Sequence, residues 1–167
     1  MNYKLLILLF SVCIIHSPLY ALTVEEAYAA VPHKRTLYMT GQSRLSAANS
    51  DYLQQLFTLT DEALILRIRF MRGERDEYLY EDVLAQLKQL QAPAIAQAAH
   101  KLIIRAITQQ FHYFKAPDLN NSKQKRKLMQ SSHRLLIAAY NELMKKLPDS
   151  KHNKKAYFDH LCALDFI

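Results

Sequence analysis

Apolar residues in this chain recur at helical spacing, and no stretch holds the strict alternation of a half-buried strand. The clearest case lies over residues 47–72, where Leu53, Leu56, Phe57, Leu59, Ala63, Leu64, Leu66, Ile68, Phe70 and Met71 gather on one side. Stepped at roughly 100° per residue, they cover an arc of about 200°. So wide an arc predicts a helix with neighbours on two sides. Ser46 or Ser50 is placed to cap its start, and Gly73 with the charged run after it closes its end.

The same pattern predicts five more helices. Thr23 followed by Glu26 is a capping box, which starts a short helix near 24–30 that Pro32 ends. Residues 31–45 lack a helical period and read as an extended segment lying on the helices. Leu79, Val83, Leu87 and Leu90 mark a helix over 78–91, and Pro93 suits the first turn of the next one, which runs to 115. The stretch "APDLNNSKQKR", with Pro117, Asn120 and Asn121, is the clearest loop, and the next helix, over about 122–147, buries Leu128, Ser132, Leu135, Leu136, Ala139, Leu143 and Leu147. Pro148 stops it. Asp149 or Ser150 caps a last helix to 164, with Tyr157, Phe158, Leu161 and Leu164 inward. The expectation is an all-α chain: an antiparallel up-and-down bundle of about four main helices plus the short N-terminal one, with the last helix packed across it. Scarce glycine (Gly41 and Gly73) and abundant Leu, Ala, Gln and Lys agree with this.

Residues 1–21 stand apart. A short basic start, the apolar run Leu5–Ile15, Pro18 and a terminal Ala21 have the order of a secretory signal peptide, with cleavage after Ala21. The run is shorter than the roughly 20 residues needed to span a bilayer. The chain therefore divides into a leader (1–21), a short helix with an extended segment (22–46) and a helical bundle (47–167), and the product is expected in the periplasm or outside the cell. No transmembrane span remains after processing. Cleavage removes Cys13 and leaves Cys162 alone, which reads either as a buried small residue or as a thiol that pairs two chains.

Three polar residues interrupt apolar faces. His100 has Ile104, Ile107, Phe111, Phe114 and Ile103 within about 60° of it on its helix, whereas His112 falls on the polar side about 120° away. The two histidines share no face, so the i, i+4 zinc pair is excluded. Neither follows a glutamate at the Glu-x-x-His spacing of di-iron bundles. Arg67 lies near the centre of the apolar arc of its helix, and a buried guanidinium requires a partner. Glu142, at the edge of the apolar face of 122–147, is the first candidate, with Asp61 and Asp51 behind it. Arg67, His100 and Glu142 then read either as separate structural residues or as one polar cluster lining a ligand cavity.

Motifs for covalent haem, zinc hydrolysis, nucleotide phosphates and a nucleophile elbow are missing, so the sequence names no catalytic residue, metal or cofactor. Charge is more informative. The chain carries 22 basic and 15 acidic residues, and loss of Lys4 with the leader takes the basic count to 21, a net +6. Residues 22–114 hold equal numbers of each sign. The excess lies beyond Lys115, in Lys123, Lys125, Arg126 and Lys127 at the start of one helix and Lys151, Lys154 and Lys155 at the start of the next. Such a surface attracts an acidic protein or an anionic membrane. No nucleic-acid-reading scaffold accompanies it.

The leader, "VPHKRT", the helix "YLQQLFTLTDEALILRIRF" and the helix "HKLIIRAITQQFHYF" resemble small exported all-helical proteins of unknown function from Gram-negative bacteria. The resemblance covers about residues 22–115, implies export and carries over no site residue. The resulting expectation is a non-enzymatic exported binding module that works through its basic C-terminal half. The alternative is a small-ligand or metal-binding bundle with Arg67 and His100 at its centre.

Overall fold

A computed structural model describes residues 22–32, 34–74, 77–115 and 122–166. The proposed leader, with Ala21, lies outside them. The described residues are all-helical and contain no strand: α1 (Val24–Ala29), α2 (Ala47–Met71), α3 (Glu77–Gln89), α4 (Gln97–Lys115), α5 (Ser122–Lys146) and α6 (Lys151–Asp165). None of these helices is long and apolar enough to cross a membrane.

The helix ends follow local chemistry. At α1 the Thr23 hydroxyl accepts from the Glu26 N–H while the Glu26 carboxyl accepts from the Thr23 N–H, a complete capping box. Ser46 and Ser150 cap α2 and α6. At the end of α2, Gly73 N–H bonds the Phe70 carbonyl and Glu74 N–H bonds that of Arg69. This turn needs φ +89° at position 73, which glycine adopts without strain. Pro93 does not open α4. Its carbonyl accepts from Ala96 and Gln97, forming a turn that leads into α4 four residues later than the sequence pattern suggests.

The main contacts run in sequence order: α2 on α3, α3 on α4, α4 on α5 most extensively, and α5 on α6. Helix α6 then closes back onto α2, so the five helices contact one another in a closed ring. Helix α6 belongs to the ring because one side of it (Ala156, Tyr157, His160, Leu161, Leu164) is buried. Phe158 is a correction to the sequence reading: it points outward and is 41% exposed.

The segment between α1 and α2 lies across α2 and α6 as an arm, with a 3-10 turn at Thr40–Gln42. An aromatic stack carries it: Tyr38 packs on Tyr157, Tyr157 on Phe57 and Phe57 on His160, with centroids 5.9, 5.5 and 4.4 Å apart. Polar contacts fix its register. Asn153, fully buried on α6, accepts from Met39 N–H and donates to Met39 C=O, both at 3.0 Å, as a neighbouring strand would. The Asp149 carboxyl accepts from Arg44 N–H, Ser43 Oγ and Tyr157 Oη. Burial works against its charge, but these hydrogen bonds outweigh that and hold Asp149 below its ordinary pKa.

Burial raises the phenol pKa of Tyr28, Tyr38, Tyr52, Tyr80 and Tyr157. Since the folded pKa exceeds the unfolded one, this stability is complete below the ordinary tyrosine value of about 10 and is lost as pH rises above it. In an alkaline titration, phenolate absorbance from these five should therefore appear together with loss of helical circular dichroism. Complete ionisation of all tyrosines with the helices intact would contradict their burial.

Candidate functional site

The residues singled out by sequence do not form one cluster. Each has its own partners. Tyr52 Oη lies 3.0 Å from His100 Nδ1, with the Leu87 backbone near the same imidazole. Burial lowers the His100 pKa, and the Leu87 contact only partly opposes it. His100 borders a shallow cleft of about 350 Å³ with Gln91 and Lys101, but is only 7% exposed. His112 is exposed, on the polar side of α4. Glu142 is half-buried and pairs with Lys145 and Lys146 at 3.9 and 3.5 Å. It is not the partner of Arg67.

Arg67 is fully buried where the ring of helices converges. Its Nη1 donates to the carbonyl of Leu164 in the last turn of α6. Gln110 of α4 donates to the same carbonyl at 2.6 Å and to Ser132 Oγ of α5 at 2.9 Å, and Tyr80 of α3 reaches Gln110 Oε1 at 3.5 Å. All five residues are wholly buried, one from each ring helix. The absence of a bonded carboxylate has a physical explanation: the final carbonyls of α6 lack intrahelical partners and carry the negative end of the helix dipole. A guanidinium there meets negative charge without an acid. Burial still lowers the Arg67 pKa to about 10, opposed by Tyr80 and Asp165, so it stays charged at neutral pH. Nε and Nη2, which form one edge of the guanidinium, have no acceptor among the described residues.

A second buried cluster escaped the sequence reading. Asp61 of α2 is 6% exposed and receives three groups. Tyr28 Oη of α1 donates to Oδ1 at 3.0 Å, Arg35 Nη2 of the arm donates to Oδ2 at 3.1 Å, and His160 Nδ1 of α6 lies 3.0 Å from Oδ1. Tyr28 Oη is also 3.1 Å from His160 Nδ1. Because the tyrosine proton is directed at Asp61, the imidazole faces two oxygens and Nδ1 carries its hydrogen. Arg35 bonds Glu25 as well, at 2.6 Å. Next to it, Lys155 reaches the buried Asp159 at 2.6 Å. A signal did exist: Asp61 borders the apolar arc of α2, and His160 shares a face of its helix with Tyr157 and Leu164. Pattern alone gives no sign that the two faces meet 99 residues apart in sequence, as the 3.0 Å contact of Asp61 with His160 shows. The cluster has the groups of an acid–base site, but it opens to no described cleft, and its geometry serves to tie the arm to α2 and α6.

Other chemistry is limited among the described residues. No three His, Cys, Asp or Glu side chains are placed to hold a metal. Cys162 is half-buried, and burial followed by the charges of Asp165 and Asp159 pushes its thiol up to about 11. A cleft of about 490 Å³ between α2 and the end of α3 is lined by Asp51, Tyr52, Gln55, Gln86, Gln89 and Gln91.

The basic residues have a clearer geometry. Helix α5 buries Ser132, Leu136, Ala139 and Leu143. Opposite them, within about 40° of one another, lie Lys123, Lys127, Arg134 and Lys145, with Arg126 at the margin. All five are exposed, and the only acidic residue of α5, Glu142, stands off this line. Lys123, Arg126, Lys127 and Arg134 form no ion pair among the described residues. Lys125 instead lies over the Tyr113 ring, 5.6 Å from its centroid. On α6, Lys151 is exposed and Lys154 half-exposed, while Lys155 is held by Asp159. No family model, curated protein or solved structure matches the chain.

The Asp61 hub gives a graded expectation. Tyr28→Phe removes the phenol's bond to Asp61 and its contact with His160 and should cost about 1–2 kcal/mol. Asp61→Ala strands the tyrosine, the imidazole and Arg35 together and should cost about 3 kcal/mol or more. Urea unfolding of both variants measures this, and equal losses would mean that the carboxyl is not the hub.

Proposed function

We propose that this protein is an exported interaction module without catalytic activity, an antiparallel up-and-down helical bundle that meets an anionic partner through the outer face of α5. The observation that carries the reading is the row of cations along that face, opposite the buried side of the helix and free of carboxylates. From Lys123 to Lys145 it runs about 33 Å. Two features support the bundle topology: a connection of four residues joins α5 to α6, and His133 of α5 meets Asp165 at the far end of α6. The apolar run, Pro18 and Ala21 support export and processing.

The test separates this face from net charge. Lys127→Glu with Arg134→Glu alters the α5 row, whereas Lys88→Glu with Lys101→Glu makes the same charge change on α3 and α4. Affinity for poly-L-glutamate should fall more than about tenfold in the first variant and clearly less in the second, and should weaken steeply with salt. Equal losses would remove the α5 face as the site.

One observation favours a small-ligand reading: the buried Nε–Nη2 edge of Arg67, a fork suited to an anion. Native mass spectrometry of the processed chain should then show added mass that Arg67→Met loses while helical content is kept. A bare wild-type mass sinks that reading.

A further inference from the structure

The outer face of α5 is not purely charged. Ile137 stands on it 47% exposed, between Arg134 and Asn141, and across the α5–α6 seam Phe158 stands 41% exposed. Tyr140 joins them, its ring 5.5 Å from that of Phe158 and turned edge-on. Phe158 lies on the outer side of α6 together with Lys151 and Lys155, opposite the buried Asn153, His160 and Leu164. An apolar ridge of Ile137, Tyr140 and Phe158 is therefore flanked by lysines and arginines from two helices. The acidic residue at its margin, Asp165, pairs with His133 at 2.5 Å. The cavity beneath is only about 50 Å³, so these side chains project outward and do not line a deep groove.

We infer that this α5–α6 face seats the protein on an anionic lipid surface, with the cations over the headgroups and Ile137, Tyr140 and Phe158 inserted at the acyl boundary. The inference rests on the basic-face reading and names its partner. Two features favour lipid over an acidic protein. The outward cations are mainly lysines (Lys123, Lys127, Lys145, Lys151, Lys154), which are depleted in the cores of protein interfaces, where arginine is favoured. Point charges on long flexible stems instead suit a diffuse sheet of negative charge. An aromatic and aliphatic ridge next to them matches how interfacial faces divide charge from apolar contact.

The chain contains no tryptophan, so Phe158→Trp places a single reporter on the ridge. The chain from Leu22 onward, which includes every described helix, is mixed with phosphatidylcholine vesicles with or without phosphatidylglycerol. The expected result is co-sedimentation and a blue-shifted emission, quenched by brominated acyl chains, with anionic vesicles only. Ile137→Ser with Phe158→Ser, both at exposed sites, should weaken vesicle binding about tenfold and leave poly-L-glutamate binding unchanged. Co-sedimentation without a blue shift would overturn insertion. No vesicle binding alongside intact, α5-dependent poly-L-glutamate binding would overturn the lipid partner and leave an acidic protein as the occupant. Loss of both would remove the basic-face reading as well.

Discussion

The carbonyl of Leu164 receives both Arg67 and Gln110 at the point where all five ring helices converge. A charged guanidinium in a fully buried position costs several kcal/mol unless something compensates it. Here the compensation comes from the end of a helix: the last turn of α6 must be aimed at α2 to supply it. Gln110 then extends the arrangement to Ser132, with Tyr80 at its other end, so that α3, α4 and α5 have fixed positions relative to the same carbonyl. An entirely apolar core permits helices to slide and rotate with little change in energy. A shared acceptor with directional bonds does not, because a displaced helix leaves a buried donor unmet.

The arm between α1 and α2 is held by related means. It has too few apolar side chains to bind by burial alone, and its backbone lacks a helix or sheet to satisfy it. Asn153 replaces a missing strand for Met39, Asp149 collects donors from Ser43 and Arg44, and Asp61 gathers Tyr28, Arg35 and His160. Buried polar side chains on α2 and α6 therefore do for the arm what leucines do for the helices. This accounts for Asp61, Asp149 and His160 among the ionisable groups inside the fold and leaves them little freedom for chemistry.

Function is accordingly sought outside the core. Charges of both signs are balanced over residues 22–114, while the line of α5 opposite its buried side carries cations and no carboxylate. The α4–α5 contact, the most extensive between helices, fixes the inward side of α5 and so determines which residues form that outer row. The apolar ridge beside it depends on α6 closing the ring, since Phe158 reaches Tyr140 only when the two helices pack.

The sequence by itself determined the all-helical class, the helix limits to within a few residues, the apolar faces on which Arg67 and His100 lie, and the uneven charge. These follow from local rules: spacing at 3.6 residues per turn, capping by Thr23, Ser46 and Ser150, and the stop at Gly73. It misplaced Phe158, because one turn of α6 offers two plausible inward sides and only the neighbour selects between them. Tertiary structure alone decided the partners. Arg67 found a carbonyl where an acid was expected, Glu142 turned to its own lysines, and Asp61 with His160, from distant parts of the chain, became a pair. Periodicity assigns a residue to a face of its helix. Which faces meet depends on the packing of whole helices, a global balance that no local pattern encodes.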